Sequence, residues 1–324
     1  MTTPGHPGSP APAGSARPPA VAGSFYPGRA GELGALVDEL LVEAAARHPA
    51  PAGLGPGRLA GILVPHAGLV YSGLVAAAGW RLLLGSPTPG AASETPGAAS
   101  PTPGAASPTL VLLGTNHGAA WLDGVGAWDG GPWRIPLGEV EPDPALTRAV
   151  VDLGPPFDAD ARCHLGEHSL EVQLPFVMRL APGARIVALS VGAGTGARAI
   201  GAGERLGELL AERRAAGESI LVVISSDMAH YPTAAVAERV TAALVPHIVG
   251  LAPDALAAAE AEARWSEPGV SCGMCGIEPT VLGLAALRAM GVGPGVVVAA
   301  ATSADAGGDS RRTVGYLSVA FEAP

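Results

Sequence analysis

Three apolar runs of this chain lead into a histidine. GILVP runs into His66 in VPHAG, LVLLG into His117 in GTNHG, and LVVISS into Asp227 and His230 in SSDMAHY. In open α/β sheets, ligands bind beyond the carboxyl ends of the strands. Parallel neighbours ending this way would bring all three loops to one edge, and the small residues beside them (Ala67, Gly68, Gly114, Gly118) allow close approach. Two imidazoles plus one anionic residue, with open positions, form the donor set of non-haem Fe(II) oxygen chemistry; a thiolate in place of the carboxylate favours softer ions such as Fe(II), Cu(I) or Zn. Candidates for the third ligand lie in GVSCGMCGIEP: Cys272, Cys275 and Glu278. There is no second CxxC and the third cysteine, Cys163, is remote, which excludes a Cys₄ structural site. Asp227 and His230 stand where a supporting hydrogen-bond partner and a general base would be useful.

Of the other histidines, His6 lies in a polar tail, His48 and His247 end helices, and His164 sits in a loop. His168 opens a helix in EHSLE, where capping or packing is the ordinary role; it and Glu171 are further pocket candidates.

Positioning such a set requires strands alternating with helices, and the patterning supplies them. The spacing predicts helices at 31–48, 72–84, 144–153, 168–181, 197–217, 233–248, 253–264 and 278–291. Strands are expected at 58–65, 109–114, 184–192, 219–226, 295–302 and 313–321, and Gly130-Gly131 suggests a hairpin over 124–138. This alternation implies a single α/β domain over 19–322, with a mostly parallel sheet and helices on both faces. Residues 1–18 read as a disordered tail. The heptads PTPGAAS, ETPGAAS and PTPGAAS form a disordered Pro/Gly/Ala/Ser insertion at 86–108, because their prolines forbid helix.

Composition narrows the function classes. The 324 residues are 48% hydrophobic, enough for a sizeable core, and all 19 basic residues are Arg. The net charge of -10 argues against a nucleic-acid surface or an anionic membrane face. Three cysteines make no disulfide framework, and no run reaches the ~18 apolar residues of a membrane span. A cytoplasmic location is expected.

At these residues the chain resembles the MEMO family, whose bacterial and archaeal members are called AmmeMemoRadiSam system protein B. The matching stretches, in family order, are PAVAGSFYP (19–27), VPHAGLVYSG (64–73), GTNHG (114–118), GEHSLEVQLPF (166–176), SSDMAHY (225–231), CGIEP (275–279) and VGYLSVAF (314–321). The resemblance implies a fold similar to class III extradiol dioxygenases, with metal-binding positions on His66, His117 and Cys275 and further pocket residues on Asp227 and His230. It implies an acid/base role for His230, binding of iron or copper, and association with an AMMECR1-type protein and a radical SAM protein. The chain departs from the pattern by adding Cys272 three residues before Cys275, and Glu278 remains the alternative ligand.

Three functions follow. The first is a metal-binding, redox-related protein acting with those partners, Fe(II) being the expected ion and Cu or Zn the alternatives. The second is an extradiol-type dioxygenase with His230 as base, although a thiolate ligand is vulnerable to oxidation. The third is a non-enzymatic peptide- or protein-binding module.

Overall fold

The computed structural model describes residues 14–52, 54, 58–84 and 107–324. Its strands in chain order are β1 (Leu59–Val64), β2 (Thr109–Thr115), β3 (Val125–Ala127), β4 (Trp133–Ile135), β5 (Gly138–Val140), β6 (Phe157–Ala159), β7 (Arg185–Val191), β8 (Ile220–Ser225), β9 (Val296–Thr302) and β10 (Gly315–Glu322). The helices are α1 (Ala30–Arg47), α2 (Leu69–Trp80), α3 (Pro144–Val151), α4 (Leu174–Leu180), α5 (Arg198–Ala215), α6 (Ala234–Val249), α7 (Pro253–Ser266) and α8 (Ile277–Ala289).

One eight-stranded sheet runs in the order β6-β3-β7-β2-β8-β1-β10-β9, and β4-β5 form a separate ribbon. The centre, β7-β2-β8-β1, is parallel. These strands are apolar along almost their whole length because both faces are covered. Leu110 and Leu112 pack with α1, α2 and α4 on one side, while Val111 and Leu113 pack with α5, α6 and α8 on the other. The expected single α/β domain with helices on both faces is therefore the observed architecture. No described helix is long and apolar enough to cross a membrane.

Two local expectations fail. Gly130-Gly131 does not turn a hairpin over 124–138: β3 joins the main sheet beside β7, and the ribbon pairs β4 with β5 instead. The helix expected from His168 begins later, as a 3₁₀ turn at Glu171–Gln173 leading into α4, with Pro175 in the first turn of that helix. Proline lacks an N–H, so it fits a first turn and not a helix interior.

The repeat insertion, 86–108, lies outside the described residues save Ser107 and Pro108, as does most of the expected tail, 1–18. The end of that tail, Gly14–Pro18, is placed, and it docks. Arg17 is fully buried, bridges to Trp133 in the β4 strand and holds its guanidinium 4.1 Å from that ring. One arginine with a buried carboxylate partner, Glu171, overrides the polar composition around it.

His164, read as a loop residue, is also fully buried. It packs between Trp128 and Trp133, with ring centroids 5.8 and 5.7 Å away, and its Nε2 meets the Gly126 carbonyl at 2.9 Å. Burial, with the charge of Arg17 adding to it, lowers its pKa to about 4. Because the folded value lies below the unfolded 6.5, the unfolded chain binds the proton more readily between them. Stability from this group is therefore complete above pH 6.5 and is lost as pH falls towards 4. At pH 5 the loss should reach about 2 kcal/mol. Urea melts at pH 7 and pH 5 should show it, and His164→Gln should flatten the slope; an unchanged slope would disprove the assignment.

Candidate metal centre

β1, β8 and β2 are adjacent and parallel, and in register Val64 pairs with Ser225 and Gly114 with Ser225. His66, Asp227 and His117 each lie two residues beyond their strand ends, so they emerge side by side on one edge. Asp227 braces the first two loops: its Oδ1 accepts from the backbone N–H of His66 at 2.8 Å and of Ala67 at 3.1 Å. Burial raises its pKa, opposed by His230 and by these two N–H donors.

The loop before α8 brings the sulfur. Cys275 N–H donates to the Asp227 carbonyl at 3.2 Å, and Gly276 N–H to Ser226 Oγ at 2.9 Å. A Cβ at residue 276 would lie 2.7 Å from Ser226 Cβ, so only glycine permits this approach. It leaves Cys275 Sγ 3.2 Å from His66 Nε2. Burial, then the nearby Asp227 and Cys272, push the Cys275 thiol well above the ordinary value. Burial therefore favours the protonated thiol, whose neighbouring acceptors are His66 Nε2 and, at 3.8 Å, the Asp227 carbonyl.

His117 is held by Glu167, whose Oε1 lies 2.9 Å from Nδ1 and whose Oε2 accepts from the His117 backbone N–H. Glu167 also accepts from the N–H groups of His168 and Ser169, each at 2.8 Å. Burial alone would raise its pKa, but these hydrogen bonds and the His117 ring hold it well below the usual carboxylate range. An ionised carboxylate accepts a hydrogen bond from Nδ1–H, so the proton of a neutral ring stays on Nδ1 and the Nε2 lone pair is free.

One ligand atom from each of His66, His117 and Cys275 lies within 4.8 Å of the others. Two further triads share members with it: His117, Glu167 and His168, and Asp227, His230 and Cys275. The His117 and His168 rings stack at 4.4 Å, and His66 meets them edge-on at 5.4 and 5.5 Å. Phe25 closes over His168 at 4.6 Å. Burial lowers the pKa of His66 to about 3, with His117 adding to the effect, and that of His168 to about 4, with His66 adding. Both are neutral at pH 7 and can offer lone pairs. His230, lowered by burial against the pull of Asp227, has its Nε2 buried without a hydrogen-bond partner, 3.9 Å from Asp227 Oδ2. Its backbone is pinned through Cys272 O and Ser271 N, and the next residue, Tyr231, sits at φ 73°, an uncommon angle for a non-glycine residue.

Six of the residues singled out from sequence thus converge: His66, His117, His168, Asp227, His230 and Cys275. Three do not. Glu278 starts α8 with its carboxyl towards the Gly196 backbone and belongs to none of the triads among the described residues. Cys272 lends His230 its backbone carbonyl, while its thiol, pushed up to about 11 by burial and by Glu260, joins no triad either. Glu171 is not a pocket residue: both its oxygens are taken by Arg17, Tyr26 and the N–H groups of Ala20 and Val21. Of the two glutamates flanking His168, the one at the site is Glu167, whose Oε1 meets His117 Nδ1; the helix expected from His168 begins only with the 3₁₀ turn at Glu171. Sequence reasoning missed Glu167; its signals were adjacency to His168 and its place in the matching stretch GEHSLEVQLPF. Ser225 and Gln173, which support His66, lie inside the matching stretches SSDMAHY and GEHSLEVQLPF, but their residue types alone did not single them out.

A family model described as Memo-like protein matches residues 17–320. Among curated proteins, the chain is 32% identical over 315 residues to "MEMO1 family protein MK0963" of Methanopyrus kandleri, covering 94% of this chain and 98% of that protein. It is 33% identical over 306 residues to a MEMO1 family protein of Aquifex aeolicus, covering 94% and 98%. A solved structure of an uncharacterized protein, JW3007 from Escherichia coli K12, aligns with a TM-score of 0.48 and 17% identity over 81% of this chain and 99% of that one.

Proposed function

The chain belongs to the Memo family, and from that premise we propose that it is a metal-binding protein of redox character. Fe(II) is the preferred ion, with Cu or Zn as alternatives, and His66, His117 and Cys275 would hold it. The supporting observation is the donor set itself. Glu167 occupies Nδ1 of His117 and the Ser225 hydroxyl lies 3.0 Å from Nδ1 of His66, which leaves Nε2 of each ring as the free donor, and the Cys275 sulfur lies 3.2 Å from that of His66. Bound there, a redox-active ion would supply electron transfer or activation of a small molecule. Asp227 keeps the two loops in register, His230 offers an unpaired ring nitrogen for a substrate proton, and Phe25 packs on the His168 ring. Action in the cytoplasm with an AMMECR1-type protein and a radical SAM protein is part of the same proposal.

Protein purified without air or chelator should carry about one ion per chain. A chain that emerges empty and takes up no added Fe(II), Cu(I) or Zn would sink this reading, and unchanged partner affinity in that empty protein would favour the binding module.

The unpartnered Nε2 of His230 also favours a second reading, an extradiol-type dioxygenase in which that nitrogen accepts the proton of a catechol hydroxyl. Oxygen uptake by Fe(II)-loaded protein with a panel of catechols tests it. No uptake eliminates the dioxygenase and leaves metal binding standing.

A further inference from the structure

The hydrogen bonds beneath His66 determine where its ring proton sits. The indole N–H of Trp80 lies 2.8 Å from Gln173 Oε1. An indole nitrogen only donates, so the amide atom facing it is the carbonyl oxygen and the orientation of the amide is settled. Gln173 Nε2 then donates to the Pro65 carbonyl at 2.9 Å and to Ser225 Oγ at 3.0 Å. Ser225 has one proton and three partners. Gln173 can only give, and the Ser169 carbonyl, 2.6 Å away, can only accept, so the hydroxyl proton goes to Ser169. What remains of Ser225 Oγ is a lone pair, 3.0 Å from His66 Nδ1. Two lone pairs make no bond, so Nδ1 must carry the ring proton.

A neutral imidazole has one such proton, and Nε2 is left as an acceptor. That is the atom 3.2 Å from Cys275 Sγ, the thiol donor. Every donor and acceptor in the chain is matched. Trp80, Gln173, Ser225 and Ser169 are all fully buried, so bulk water cannot supply a substitute partner. The four come from the end of α2, the 3₁₀ turn before α4, the last residue of β8 and the loop after Glu167.

We infer that Ser225, oriented by Gln173 and the Ser169 carbonyl, is a positioning residue that locks His66 in the Nδ1–H tautomer and so presents Nε2 to the candidate centre. Its bearing on metal rests on the reading that Nε2 of His66 is a ligand; the lock itself does not.

Two-bond ¹⁵N–¹H spectra of histidine-labelled, metal-free protein test the lock directly, with the His66 signals assigned by their absence in His66→Gln. Wild type should show His66 as Nδ1–H. Ser225→Ala should shift it to Nε2–H, donating to the sulfur, Gln173→Leu should give a mixture, and Ser225→Thr, which keeps the hydroxyl, should restore Nδ1–H. Zinc affinity, measured by chelator competition, should fall roughly 10–100-fold in Ser225→Ala and recover in Ser225→Thr. A wild-type His66 found as Nε2–H overturns the lock whether or not any variant folds, as does Nδ1–H retained in folded Ser225→Ala. A tautomer that shifts while zinc affinity stays constant upholds the lock and counts against His66 as a ligand.

Discussion

Replacing Arg17 with methionine is expected to destabilise the fold by about 3–5 kcal/mol, the usual range when one member of a buried ion pair is removed. Arg17 and Glu171 are both fully buried, and water cannot solvate the carboxylate that stays behind. The guanidinium also donates to the carbonyls of His164 at 2.8 Å and Pro18 at 3.2 Å, and to that of Glu167, so the substitution strands acceptors too. Methionine keeps much of the volume against Trp133, which separates the loss of charge from the loss of packing. Adding Glu171→Gln to Arg17→Met should recover part of the stability, because the unpaired charge disappears while the amide oxygen in place of Oε1 still accepts from Tyr26 and Val21; recovery stays partial because the Ala20 N–H loses its acceptor at Oε2. Urea unfolding of the two single variants and the double variant measures this. A loss below about 1 kcal/mol for Arg17→Met, the range of a surface pair, would show that the N-terminal arm is not docked in solution. The effect should reach the candidate centre as well, because Arg17 holds the backbone of Glu167.

His66→Ala, His117→Ala and Cys275→Ser should each abolish stoichiometric metal, whereas Glu278→Gln should leave it in place. The reason is spatial: the first three share one 4.8 Å cluster, and the Glu278 carboxyl looks towards Gly196. Glu167→Gln should act more mildly. It keeps the shape but weakens the hold on His117 Nδ1, a change that typically lowers affinity about 10–100-fold. Affinity should also depend on pH. The free Cys275 thiol is pushed well above its ordinary value, and a bound thiolate has lost that proton, so raising the pH favours the bound form. The expected slope is about tenfold per pH unit between pH 7 and 8, and it should be missing in whatever residual binding Cys275→Ser retains. Metal analysis and chelator competition read all of these. Release of metal by Glu278→Gln but not by Cys275→Ser would reverse the assignment of the third ligand.

Much of this protein was legible before folding was considered. Apolar runs of strand length, each closing on a small residue and a histidine or aspartate, are local patterns. Once the strands are taken as parallel neighbours, the convergence of His66, His117 and Asp227 follows from topology alone. The helices alternating with those runs required the same sheet with both faces covered. Family kinship was equally visible, because colinear motifs are a property of order along the chain.

Other choices belonged to the tertiary structure. Cys272, Cys275 and Glu278 are within one helical turn or two of each other, and composition cannot say which faces inward; the contact of Gly276 with Ser226 turns Cys275 to His66. Glu167 and Glu171 flank His168 on either side, and which one supports the site was decided by packing: Glu167 meets His117 and Glu171 meets Arg17. Arg17 sits in a segment whose composition reads as tail, yet a carboxylate 154 residues away buries it. The proton on His66 is decided by Trp80, Gln173 and Ser225, which lie far apart in sequence. Periodicity records which face of an element is apolar, through covalent neighbours. Ion pairs and hydrogen bonds between distant segments leave no such period, because their energy depends on distances that only the packed chain creates.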